Sequence, residues 1–191
     1  MKKQSEKAMQ TKAALISAFW ELYRGNPIEK ITVKNVTDSA GVYRSTFYLY
    51  FQDVYAILEQ IENDIIHNWK IKLFEAHSKD KNINVVDIIA DFFDENGEYL
   101  SVILSSKGNP MFIQKIKDTT RPFWYELFNL CDNDVKSSLI FEYIISARLA
   151  FFAEWYRNAK HISKKEAATI FHTLATETTT SAILRLSMGE I

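Results

Sequence analysis

The chain has 191 residues, of which 47% are apolar, 14% aromatic and 25% charged, with a net charge of -1. These proportions suit one or two small domains with a packed core and exclude a disordered or collagen-like chain. Five glycines and three prolines leave too little punctuation for a many-stranded sandwich or barrel, so an all-α fold is favoured; the single cysteine, Cys131, excludes an intrachain disulfide.

The N-terminus, MKKQSEK, lacks the apolar core of a signal peptide and points to a cytoplasmic protein. Apolar residues at Ala8, Leu15, Ile16, Phe19, Trp20, Leu22 and Tyr23 predict a helix over 5–23. Gly25 is its expected left-handed cap, and Pro27 blocks any continuation. A short second helix is predicted over 32–40, capped by Thr32, with Val33, Val36 and Ala40 on one face. Gly41-Val42 breaks it, and a third short helix follows over 44–50. Asp53 reads as the N-cap of a long amphipathic helix over 54–76, with Val54, Ile57, Leu58, Ile61, Ile65, Trp69 and Leu73 at helical spacing.

A polar loop over 78–82 precedes a helix over 85–94, which Gly97 interrupts or separates from an apolar run at 99–104. A turn at 107–110 leads into a helix over 111–130, expected to kink or break near Thr120-Arg121 because of Pro122. Two long helices close the chain, over 134–158 and 163–187, the second opened by a Ser163–Glu166 capping box. The stretch 139–156 is apolar at 14 of 18 positions. It carries Glu142, Arg148 and Glu154, and each charge costs roughly 2.5–3.5 kcal/mol at a bilayer centre, so a helix buried in protein fits better than a membrane span.

Charge is unevenly spread. Residues 1–53 carry +3 and the remaining 138 residues carry -4, compatible with polyanion binding at one end. Three short helices, the second and third joined by Ala40-Gly41-Val42, describe a helix-turn-helix whose second member enters the DNA major groove. Glycine takes the turn conformation, small or branched apolar residues lock the two helices, and the outward face offers Tyr43, Arg44, Ser45, Thr46, Tyr48 and Tyr50.

Residues 31–53, ITVKNVTDSAGVYRSTFYLYFQD, resemble the signature of TetR/AcrR-type transcriptional regulators: a Thr opening the second helix, Ala-Gly-Val at the turn, then Thr-aromatic-Tyr-x-Tyr-Phe. The resemblance covers the first third by motif and the rest only in its layout of long helices. It implies that Thr32 and Tyr48 contact phosphate, that Tyr43, Arg44 and Ser45 read bases, with Arg44 suited to a bidentate guanine contact, and that Thr46 and Tyr50 add backbone contacts. Phe47 and Phe51 are expected to face the core. Two positions depart from the family pattern. Val54 stands where the family often has a Lys that contacts phosphate. Tyr43 stands where a small polar residue caps the reading helix, and is either a DNA contact or simply tolerated.

The expected organisation is therefore a helix-turn-helix DNA-binding domain over 1–53, with its reading motif at 32–51, and a helical effector-binding and dimerisation domain over 54–191. The resemblance implies a homodimer formed through the last two helices, binding a palindromic operator and released by an unknown small-molecule effector. Expected effector-pocket residues are Trp69, Tyr99, Trp124, Phe128, Arg148 and Phe152, each with ordinary core packing as the alternative. Glu142 and Arg148 need partners in an apolar helix, whether ligand, neighbouring side chain or solvent. The four histidines show no i, i+4 pairing, Cys131 reads as a semi-buried small residue, and no cofactor, metal or enzyme motif is present. A coactivator or metabolic sensor acting through a protein partner is the alternative function.

Overall fold

The computed structural model describes residues 2–79, 85–104, 109–158 and 161–174. Among them lie eight α-helices, one 3-10 turn and no strand. By compactness the chain divides into two units, Met1–Ile65 and Ile66–Ile191.

In the first unit, α1 (Lys2–Gly25) is followed by a 3-10 turn (Ile28–Lys30), α2 (Val33–Ala40), α3 (Arg44–Phe47) and the opening turns of α4 (Val54–Lys79). One stripe of α1 (Leu15, Ala18, Phe19, Trp20 and Tyr23) is buried with Ile31, Val36, Phe47 and Phe51. Full burial of side chains of this size contributes about 1.5–3 kcal/mol each. Phe19 stacks on Tyr23 at 5.5 Å between ring centroids, and Phe47 tilts against Phe51 at 5.9 Å. Asp53 caps α4 as expected, its Oδ1 accepting from the Ala56 N–H at 2.8 Å.

The end of α1 differs from expectation. Gly25 is its last helical residue, and Gly41 is the positive-φ glycine among the described residues. The Leu22 carbonyl instead accepts from both the backbone N–H and the side-chain Nδ2 of Asn26, at 3.1 and 2.9 Å. With its orphan carbonyl satisfied by a side chain, the helix needs no left-handed residue.

In the second unit, the rest of α4 is joined by α5 (Val85–Ile103), α6 (Pro110–Leu127), α7 (Val135–Asn158) and α8 (Lys164–Leu174). The helix α4 extends to Lys79, into the expected loop, the rest of which lies outside the described residues. Gly97 does not interrupt α5. It is buried, and a Cβ built on it would lie 2.1 Å from Cδ2 and 2.2 Å from Cε2 of Tyr156. The glycine is there so that the Tyr156 ring of α7 can lie against the α5 backbone.

Pro122 likewise fails to break α6, which runs on to Leu127. The lost N–H is outweighed by what the helix buries around it: Thr120, Phe123, Trp124 and Tyr125 are all buried, and the Thr120 hydroxyl bonds the Ile116 carbonyl at 2.9 Å. The helix stops short of the expected Leu130. Asn129 adopts φ 50°, and the N–H groups of Leu130 and Asn129 return to the carbonyls of Tyr125 and Glu126 at 2.8 and 3.3 Å, a Schellman closure.

At the start of α7, Asp134 Oδ2 accepts from both the backbone N–H and the hydroxyl of Ser137, each at 2.8 Å. These two bonds, led by the backbone one, hold its carboxyl below the usual range. Ser163 Oγ accepts from the Glu166 N–H at 3.2 Å to start α8. The expected continuation of that helix to 187 lies outside the described residues. The inner faces of α5, α7 and α8 meet in an aromatic cluster: Phe93–Phe152 at 5.4 Å, Phe152–Phe171 at 5.3 Å and Phe151–Phe171 at 5.0 Å. Among the described residues no helix is long and apolar enough to cross a membrane.

Candidate functional site

The reading motif is built from the backbone outward. Thr32 and Asn35 form a reciprocal capping box at the start of α2: Thr32 Oγ1 accepts from the Asn35 N–H at 3.2 Å, and Asn35 Oδ1 accepts from the Thr32 N–H at 3.0 Å. Asn35 thus does the work that Glu or Gln usually does. At the other end Gly41 sits at φ 66°, ψ 32°, a left-handed position that favours glycine, and the Val42 N–H closes onto the Thr37 carbonyl at 3.1 Å. The buried Thr37 hydroxyl is turned back onto the Val33 carbonyl at 2.9 Å, which keeps it satisfied.

The second helix of the motif is shorter than expected. It spans Arg44–Phe47, and 48–50 continue as a turn rather than as helix to 50. The Leu49 and Tyr50 N–H groups reach back three residues, to the Thr46 and Phe47 carbonyls at 3.3 and 2.9 Å. This tighter winding accompanies the burial of both Phe47 and Phe51, as the pattern predicted. Tyr43 is the N-cap residue and makes no side-chain cap bond, in keeping with its aromatic side chain.

What remains outside is a small, chemically mixed face. Tyr43 is 84% exposed, Tyr48 59% and Leu49 79%; Arg44, Ser45 and Thr32 are exposed, and Thr46 and Tyr50 are half-buried. Sequence reasoning passed over Leu49, whose apolar side chain reads as core until the turn at 48–50 swings it outward. Lys12 of α1 lies nearby, its Nζ 5.6 Å from the Phe51 ring centroid and 3.3 Å from Gln60 Oε1. This face offers hydroxyls, one guanidinium and flat apolar surface, the donor set for a phosphate backbone and base edges.

The six expected effector-pocket residues separate. Trp69 is buried against Phe92, with centroids 4.6 Å apart, and Tyr99 is half-buried on α5. Trp124, Phe128, Arg148 and Phe152 come together: Trp124 stacks on Phe128 at 6.0 Å, the Arg148 guanidinium lies 4.5 Å from the Trp124 centroid and 5.4 Å from Phe171, and Phe171 packs on Phe152. A cavity of about 780 Å³ opens beside them, lined by residues that include Ile113, Leu149, Phe151, Trp155, Ile162 and Ile170. None of the six lines it. The α7 sequence is apolar nearly all round, so periodicity alone could not say which of its faces borders open space.

Glu142 finds its partner in Lys117 of α6. Arg148 pairs with no carboxylate among the described residues: Nη1 donates to the Ile144 carbonyl at 2.9 Å, Nε has no acceptor, and burial pushes the group down to about 10. Cys131 is exposed, not semi-buried, because it sits in the turn between α6 and α7 with its N–H held by Ser137 Oγ at 3.0 Å. No cluster of three or more metal-ligating side chains occurs among the described residues.

Residues 80–177, just over half of the chain, match the family described as the C-terminal region of TetR-type transcriptional regulators. An uncharacterized HTH-type transcriptional regulator, YxbF of Bacillus subtilis (strain 168), is 28% identical over 102 residues, covering 50% of this chain and 26% of that protein. The chain therefore spans about a quarter of the length of the curated relative it matches. Among solved structures, a TetR transcriptional regulator from Streptococcus agalactiae 2603V superposes with a TM-score of 0.63 at 18% identity, covering 90% of this chain and 96% of that one. NalD, the secondary repressor of the MexAB-OprM multidrug efflux pump in Pseudomonas aeruginosa, does so at 0.60 and 14%, covering 96% of each. The helical architecture and the C-terminal match agree: the chain belongs to the TetR family of transcriptional regulators.

Proposed function

We propose that this regulator is a homodimeric, sequence-specific DNA-binding repressor, released from a palindromic operator by a small molecule bound in the second unit. The observation that carries the DNA-binding part is the outward face of the motif. Tyr43, Arg44, Ser45 and Tyr48 stand exposed beyond a Gly41 turn, and their side chains make no hydrogen bond among the described residues. Arg44 and Ser45 read bases, Tyr43 adds a contact from the N-cap position, and Thr32, Thr46, Tyr48 and Tyr50 hold the phosphates.

Dimerisation follows from the size of the reader, since one short helix covers too few bases for useful specificity. Twofold symmetry sets two of them about 34–36 Å apart, one DNA turn. Exposed Leu139 and Tyr143 on α7 and Ile170 and Leu174 on α8 support an interface through the last two helices. The effector acts by favouring a dimer whose reading helices no longer match the groove, and α4, which runs through the boundary between the units, is the covalent link. The setting of such a function is the cytoplasm.

Fluorescence anisotropy on the DNA upstream of the gene, across a salt series, tests the reading. Tight binding poorly competed by random DNA is expected, with Arg44→Ala weaker by about 1–3 kcal/mol, roughly five- to 150-fold. Weak binding that random DNA competes equally, unchanged in Arg44→Ala, refutes it and brings forward the alternative of a coactivator working through a protein partner.

A further inference from the structure

In the second unit two buried donor atoms have no acceptor among the described residues. Trp124 is fully buried and its Nε1 finds no acceptor among the described residues, nor does the buried Nε of the half-buried Arg148. They belong to one cluster, the guanidinium lying 4.5 Å from the Trp124 ring centroid. Nη1 is occupied by the Ile144 carbonyl at 2.9 Å, so the Nε edge is the one left over. That edge is the side from which a guanidinium receives a carboxylate. Buried polar groups are nearly always satisfied, and a buried cation without a counter-charge is costly, so two orphan donors on neighbouring side chains mark a missing acceptor.

We propose that Arg148 and Trp124 anchor the acid end of a hydrophobic monocarboxylate, an inference that rests on the effector reading of the second unit and names the chemistry of the effector. The surroundings select the rest of the molecule. Phe171 packs on the guanidinium at 5.4 Å and on Phe151 at 5.0 Å, and Phe151 is part of the wall of the 780 Å³ cavity. Neither donor lines that cavity, so an acyl chain or aromatic body held in it places its carboxylate on the two donors only once the Phe171 ring turns aside. The depressed ionisation of Arg148, caused by burial, agrees with a site waiting for an anion. A neutral or cationic ligand leaves the guanidinium uncompensated and is discriminated against.

The test compares octanoate and 1-naphthoate with octanamide, which keeps the chain and loses the charge, by thermal unfolding and Trp fluorescence on the full chain. The acids are expected to raise the unfolding temperature and the amide to do little. Binding of the acids falls at least about tenfold in Arg148→Met and severalfold in Trp124→Phe, which keeps an aromatic ring in place and removes the N–H donor. Arg148→Lys keeps the charge but lacks the Nε donor, and partial recovery of acid binding in it guards against a merely structural loss. Equal responses to acid and amide, acid binding that survives in Arg148→Met, or no response to either acid each overturn the proposal. DNA binding measured on the same samples separates the two readings. Acids that bind through Arg148 and leave the DNA complex intact uphold the anchor and refute effector release; intact DNA binding with no acid bound refutes the anchor alone.

Discussion

Substituting Gly97 by Ala tests whether the packing of α5 on α7 is as tight as the structure has it. On helix propensity alone the change is favourable by about 1 kcal/mol. The new methyl, however, would sit 2.1–2.7 Å from Cδ2, Cε2 and Cγ of Tyr156. Contact at Cγ as well as along the ring edge means that a small rotation of the ring cannot clear it. Either the helices separate or Tyr156 leaves its place. Overpacking of this kind costs about 1–3 kcal/mol, which offsets the propensity gain and leaves an expected net loss of up to about 2 kcal/mol, a fall of up to roughly 8 °C in a chain of this size.

The decisive measurement is a double-mutant cycle by thermal or urea unfolding. With Tyr156→Ala already in place, Gly97→Ala has no ring to meet and should stabilise by about 0.5–1 kcal/mol, reversing its sign. Stabilisation by Gly97→Ala in the wild-type background, or the same effect in both backgrounds, refutes the close approach.

Three further outcomes are expected. Thr32→Ala removes half of the α2 capping box and should cost about 1 kcal/mol, read from unfolding curves, and should also weaken DNA binding if Thr32 meets a phosphate; Thr32→Ser should restore both. Asp134 has a carboxyl held below its usual range by Ser137, so its contribution is complete above the unfolded carboxylate range and disappears as pH falls through the lower folded value. The stability curves of wild type and Asp134→Ala should therefore merge in acid, and a gap that persists at the lowest pH counts against this account of the α7 cap. Leu139→Glu and Tyr143→Glu place charges on the exposed face of α7 and should shift the protein to monomer in sedimentation, with loss of operator binding but unchanged helicity; a dimer that survives both moves the interface elsewhere.

Local chemistry determined much of this protein from sequence alone. Thr32, Gly41, Asp53, Asp134 and Ser163 act on backbone groups within a few residues of themselves, so helix starts and the central turn of the reading motif could be placed by inspection. Phe47 and Phe51, which the resemblance of residues 31–53 places toward the core, are buried, and that resemblance rests on short-range order in the sequence.

Tertiary structure decided what depended on a distant partner. Gly97 and Pro122 read as helix breakers until the Tyr156 ring and the buried Phe123–Trp124–Tyr125 run supply the reasons for keeping each helix whole. In α7, where nearly every face is apolar, sequence could not say that Glu142 meets Lys117, that Leu149 and Phe151 border a cavity, or that Arg148 lies against Trp124 and Phe171 with no carboxylate partner among the described residues. Helical periodicity specifies a burial face only when polar residues mark the opposite one; where they do not, the neighbouring helices assign the faces.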